Sequence, residues 1–158
     1  MKSVMLSIRP KWVKKILAGE KTLEVRKNRP NTETPFKCYI YCTNSGVATG
    51  IWGKHGKVVG EFTCNTVTNL FSNSRFWLNE DDVLQTCLSA AEIRKYADGA
   101  NGLYGWHISD LVCYDKPKEL SEFKGLRKTK FGYEPVEIKR PPQSWCYVEK
   151  WDKNDGDK

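Results

Sequence analysis

Val4, Leu6 and Ile8 alternate with Ser3, Met5 and Ser7, which predicts a first strand. Pro10 then suits the first turn of a helix, where its missing N–H costs nothing. Val13, Ile16 and Leu17 recur at helical spacing, Lys11, Lys14 and Lys15 take the other side, and Gly19 is a natural stop. A second strand is expected over 22–26, followed by a polar loop over 28–35 that holds two prolines and Arg29. The aromatic and β-branched run 36–43 predicts a strand, and 44–56, with four glycines, Trp52 and His55, a turn or mobile loop. Further strands are expected over 58–67, 103–114 (closed by Pro117) and 143–151. Between them lie an insertion over 71–101 and a polar loop over 121–140. Within the insertion, Ser89-Ala90-Ala91-Glu92 is a capping box that opens a short helix through Tyr96. Many strands and one early helix predict a mainly β, α+β fold, a single closed or nearly closed β-barrel with few exposed edges.

A length of 158 residues suits one domain, expected over 1–151, with a disordered tail at 152–158. No stretch approaches the roughly 18 apolar residues of a membrane helix. The amino terminus lacks the apolar core of a signal peptide, so the expected compartment is the cytoplasm. Thiols there stay reduced, and the six cysteines read as structural residues rather than disulfides. Cys38 and Cys42 share one expected strand, about 13 Å apart, too far to hold one zinc ion. Neither a metal nor a cofactor is expected.

Charge is informative once it is placed. Residues 1–29 hold nine Lys or Arg against Glu20 and Glu24, a net of +7, whereas the remainder has 17 basic and 17 acidic residues. That concentrated positive field attracts polyanions, chiefly nucleic acid, although a basic face also serves solubility alone.

Within this region, Gly19-Glu20-Lys21-Thr22-Leu23-Glu24-Val25-Arg26 carries the candidate chemistry. On a strand Leu23 and Val25 share one face, and Glu24 and Arg26 stand about 7 Å apart on the other. Lys21 joins them only if Gly19 and Glu20 turn the chain. The alternatives are a Lys, Glu and Arg cluster at the mouth of a cleft, or a solvated strand face with ordinary surface charges.

Gly19, Lys21, Glu24 and Arg26 match without gaps the G-x-K-x-x-E-x-R signature of the ASCH domain family, a branch of the PUA-like β-barrels, and the chain resembles that family. Ser7-Ile8-Arg9-Pro10 before the helix, Gly105-Trp106-His107-Ile108 and Pro141-Pro142-Gln143-Ser144-Trp145 add to the likeness, which is to members common in bacterial and prophage genomes. The likeness is sharpest over 3–29 and poorest over 71–101. It implies a PUA-like barrel that binds RNA or a nucleotide-like ligand. Lys21 and Arg26 would hold phosphate or a base edge, supported by Arg9 and Lys11, and Glu24 would accept from a base or fix Arg26. Trp106 or Trp145 would stack on a base.

Two enzymatic alternatives remain open. Some similar proteins deacetylate acetylcytidine with a threonine nucleophile, a lysine and a glutamate. Here Glu24 stands where that threonine would be, and Thr22 directly adjoins Lys21. Glu24 would then serve as a base on water, with Lys21 or Arg26 on the oxyanion. A metal-free ribonuclease would need Glu24, His107 or His55, and Lys21 with Arg26.

Overall fold

The computed structural model describes residues 2–46, 50–51 and 53–151. The tail expected at 152–158, and Trp52 in the glycine-rich loop, lie outside the described residues. Two sheets form the framework. The larger holds β1 (Lys2–Ile8), β3 (Phe36–Cys42), β4 (Lys57–Cys64), β8 (Ser109–Lys118), β9 (Lys124–Thr129), β10 (Gly132–Glu137) and β11 (Trp145–Glu149). Their order is β10-β9-β11-β1-β3-β4-β8. The smaller sheet has the order β2-β7-β5-β6, from β2 (Leu23–Arg26), β7 (Gly102–His107), β5 (Val67–Ser72) and β6 (Arg75–Phe76). β1 runs parallel to β3 and antiparallel to β11.

The fold is mainly β with few helices, as expected, but the sheets do not close into a barrel. The chain changes sheets where one strand was expected. Residues 103–114 divide at Ile108 into β7 of the small sheet and β8 of the large one. Asp110, at φ 49°, breaks the extended backbone just past the division. Pro117 lies within β8, at the edge of its sheet, where a missing N–H is tolerated. The polar stretch 121–140 is likewise no loop. It holds a 3-10 turn at Leu120–Glu122 and the β9–β10 hairpin, which extends the large sheet. Exposed polar side chains hide a strand from hydropathy when neither of its faces is fully covered.

Helix α1 (Pro10–Leu17) begins at Pro10 and buries Val13 and Ile16, as the pattern requires. In the insertion, the Ser89 capping box starts α3 (Ala90–Tyr96). A further helix, α2 (Glu80–Thr86), has no counterpart in the expected elements. Its amino terminus carries a local signal all the same: Asn79 accepts a hydrogen bond from the Asp82 amide, and three acidic residues fill its first turn.

Three apolar clusters hold the layers together. Val4, Leu6, Ile8, Phe62, Ile16 and Trp106 meet between the sheets and α1. Met5, Tyr39, Phe123 and Val148 cover the opposite face of the large sheet. Val25, Leu70, Ile93 and Leu103 pack beneath α2 and α3, so the insertion roofs the outer face of the small sheet. Gly105 belongs to this arrangement, because a Cβ there would lie 2.9 Å from the Leu23 side chain. Cys38, Cys42 and Cys64 are buried, whereas Cys113 is exposed rather than structural.

Candidate functional site

The expected turn at Gly19 forms. With φ at +78°, Gly19 reverses the chain, and the amides of Glu20 and Lys21 both return to the Lys15 carbonyl at 3.0 and 3.1 Å. Lys21 is thereby aimed away from the exposed side of α1 and into the protein. Thr22 then ties the start of β2 to α2, its amide donating to the Gln85 carbonyl at 3.0 Å.

Of the two alternatives left open for this strand, the cluster at a cleft is the one that forms. Glu24 and Arg26 do not occupy a solvated strand face. β2 is buried on both sides, Leu23 and Val25 towards the insertion and Glu24 and Arg26 towards β1. Lys21, Glu24 and Arg26 are only 2%, 7% and 8% exposed, against the half or more typical of surface charges. All three line one cleft of about 1210 Å³. Its walls include Ser7–Arg9 at the end of β1, Trp12 of α1, Lys95 and Tyr96 of α3, and the Pro141–Gln143 approach to β11. Arg9, Lys21, Arg26, Lys27 and Lys95 set five positive charges against Glu24, Glu92 and Asp98, a net of +2 on the lining.

Each buried charge has a distinct setting. Arg26 is a clamp between the sheets: one terminal nitrogen donates to the Ser7 carbonyl at 2.9 Å, the other to the Ser144 carbonyl and hydroxyl at 3.2 and 3.1 Å. Its Nε lies 3.4 Å from Glu24 Oε1, close enough for attraction but without hydrogen-bond alignment. Lys21 Nζ donates to the Thr86 carbonyl at 2.5 Å and sits 5.1 Å from the Trp12 ring centre. Burial lowers its pKa below the ordinary lysine value, an effect that the Glu24 carboxylate partly offsets. Glu24 Oε2 is buried and has no hydrogen-bond partner among the described residues. An orphaned buried acceptor costs about 1–3 kcal/mol, so the arrangement favours a donor arriving from the cleft.

The remaining expected residues separate. Arg9 lines the cleft and is exposed, whereas Lys11 is not part of the lining and rests over the Trp12 ring at 4.7 Å. Trp106 is corrected outright: it is 0% exposed, packs edge-on against Phe36 and Trp145, and donates from Nε1 to the Asn28 carbonyl at 3.2 Å. A ring enclosed by the core has no face left for a base. Trp145 is part-buried between Trp106 and Tyr147, outside the cleft lining. The aromatic side chains that line the cleft are instead Trp12, Tyr41 and Tyr96; Tyr41 is buried and Tyr96 is 42% exposed. Helical spacing marks Tyr96 only as the end of α3, and nothing local signals that α3 reaches β2.

Thr22 points its hydroxyl to Gln85 Oε1 at 3.2 Å and is absent from the lining. His107 pairs with the Thr68 hydroxyl at 2.7 Å, on the strand opposite Leu23, and neither it nor His55 lines the cleft. Among the described residues no group of three His, Cys, Asp or Glu is placed to hold a metal ion. No helix among the described residues is long and apolar enough to cross a membrane.

Fold and site together define a two-sheet α+β module with a basic cleft where the sheets meet. The chain belongs to the ASCH domain family, whose profile matches residues 6–142. It is similar in fold to ASCH from Zymomonas mobilis, at 19% identity and a TM-score of 0.60 over 98% of this chain and 91% of that one. Two mutant proteins of ZmASCH from the same organism, a tyrosine-to-phenylalanine and a serine-to-alanine variant, match at 19% identity with TM-scores of 0.59 and 0.60. These matches cover 95% and 94% of this chain, and 92% and 89% of the respective mutants. No curated protein sequence matches the chain.

Proposed function

We propose that this ASCH domain binds RNA or a nucleotide-like ligand in the cleft, with a base edge seated against Glu24 and phosphate held by the cations at the rim. The observation that supports this most is Glu24 Oε2, which has no hydrogen-bond partner among the described residues and sits beside Arg26 and Lys21 in a cleft of net positive lining. A carboxylate accepts well from the amino and imino N–H groups of a base and poorly matches a phosphate, which itself offers only acceptors. Arg26, largely committed to Ser7 and Ser144, orients Glu24, while Arg9, Lys27 and Lys95 line the cleft and are exposed, Lys27 Nζ lying 5.0 Å from the Tyr96 ring centre, so that they would meet an anion entering it. Tyr96, rather than Trp106, offers the stacking surface. The PUA-like affinity, a bacterial or prophage type and a cytoplasmic setting go with this reading.

Replacing Glu24 by Gln keeps the shape but exchanges one acceptor for a donor. Calorimetric titration with the four ribonucleoside monophosphates is expected to show at least a tenfold loss in Glu24→Gln for the base best bound by the natural protein. Affinity is also expected to fall as salt rises. Equal affinity in the variant for every base would refute the role of Glu24.

A second reading, hydrolysis of an acylated nucleoside or of RNA, is favoured by one observation: Lys21 is buried beside a carboxylate with its pKa lowered, as suits proton transfer. Thr22 is turned away, so an acyl-threonine route is disfavoured, leaving Glu24 as a base on water. Release of acetate from acetylcytidine, or shortened RNA, by the natural protein but not by Lys21→Met distinguishes this reading from binding alone.

A further inference from the structure

The hairpin of β9 and β10 is the largest feature that the cleft does not use. Register places its tip. Val148 of β11 pairs with Gly125 of β9, and Trp145 of β11 pairs with Leu6 near the cleft end of β1. Counting along the antiparallel pair brings Thr129 level with Ser144, so the turn at 130–131 lies at the cleft end of the sheet. Two strand spacings, about 10 Å, separate β9 from β1. The same register fixes the face. Val4 pairs with Tyr147, Leu6 with Trp145, and Lys128 with Tyr133, so these side chains share the face that carries the small sheet and α1.

On that face, Tyr133 is 40% exposed and meets Tyr147 edge-on at 5.7 Å, with Lys2 Nζ 4.7 Å above its ring centre. At the turn, Phe131 is 98% exposed. The turn is closed by hydrogen bonds: the Thr129 hydroxyl accepts from the Phe131 amide at 3.2 Å and donates to the Gly132 carbonyl at 3.1 Å. Arg127 is paired with Glu134 on the opposite face, whereas the exposed Lys128 and Lys130 form no ion pair among the described residues. Edge strands carry charge to deter pairing, which accounts for lysines but not for a fully presented phenylalanine beside them.

We infer that the hairpin is a second contact for single-stranded RNA leaving the cleft, with Phe131 and Tyr133 stacking on bases and Lys128 and Lys130 on phosphates. This rests on the proposed RNA-binding reading of the cleft. Aromatic rings beside lysines, Tyr133 and Lys128 on the sheet face and Phe131 and Lys130 in the turn, suit an unpaired strand, whose bases offer π-faces at every step. A duplex buries those faces, and a single nucleotide does not span the distance.

The test is calorimetric titration of the full chain with a mononucleotide and with a nine-residue oligoribonucleotide, for the natural protein, Phe131→Ala, Lys128→Ala/Lys130→Ala and Glu24→Gln. Both hairpin variants alter exposed side chains, and unchanged circular dichroism checks that they fold. The nonamer is expected to bind the natural protein more tightly than the mononucleotide, and each hairpin variant to weaken the nonamer by about fivefold or more while leaving the mononucleotide unchanged. A nonamer bound no better than the mononucleotide, or unaffected by the hairpin variants, overturns the inference and leaves the cleft reading standing if Glu24→Gln still weakens both. Nonamer binding that is insensitive to Glu24→Gln overturns the cleft reading and, with it, the continuous path. Absence of binding to either probe overturns both.

Discussion

Arg26→Ala is expected to destabilise the fold by about 3–5 kcal/mol, the range for removing one partner of a buried ion pair. The substitution strips donors from the Ser7 and Ser144 carbonyls and leaves the Glu24 carboxylate with no cation beside it except Lys21. Because Ser7 lies in the last residues of β1 and Ser144 immediately precedes β11, the loss also loosens one wall of the cleft from the other. Arg26→Lys is expected to rescue little, since an ammonium cannot reach both carbonyls through a planar fork. Denaturant unfolding measures the change. A midpoint for Arg26→Ala within experimental error of the natural protein would show that the guanidinium is a free ligand-binding group rather than the clamp described.

Trp106→Ala is expected to cost a similar ~3–5 kcal/mol, as large aromatic truncations in cores do. Trp106 fills the space between Phe36 and Trp145, and its indole N–H holds the Asn28 carbonyl of the loop after β2. A milder variant separates structure from binding. Trp106→Phe retains most of the apolar volume but loses the hydrogen bond, and is expected to lower stability while changing nucleotide affinity less than twofold. A tenfold loss of affinity at unchanged stability would return Trp106 to the site.

Strands with one or two covered faces are more legible in the sequence than strands with none. Phe36 to Cys42 stands out because apolar residues crowd it, whereas Lys124 to Thr129 does not, because its exposed side chains are mostly charged even though it pairs with the next strand in the chain. The closed barrel was an inference from strand number, and strand number does not reveal that 103–114 serves two sheets. At the site, the Gly19 turn is readable from local chemistry, whereas the grouping of Lys21, Glu24 and Arg26 is only one of two alternatives that local chemistry leaves open. Their burial is not readable, because alternation assigns Glu24 and Arg26 to the face opposite Leu23 without saying what covers it. Long-range partners decide that: Ser7, Ser144 and Thr86 lie 19, 118 and 65 residues from the charges they bind. The same limit explains the tryptophans. A stacking ring and a core ring have the same composition, and it is packing against Phe36 of β3 and Trp145 of β11 that encloses Trp106.

On the proposed reading, nucleotides enter the hollow walled by Arg26, Glu24 and Trp12. The most direct measurement is a ¹H–¹⁵N NMR titration that follows Arg26 Nε, Trp12 Nε1 and Trp106 Nε1 as ribonucleoside monophosphates are added. Saturating shifts at Arg26 and Trp12, with a much smaller response at the enclosed Trp106, are the predicted result. Saturable nucleotide binding that leaves the Arg26 and Trp12 signals in place would contradict it.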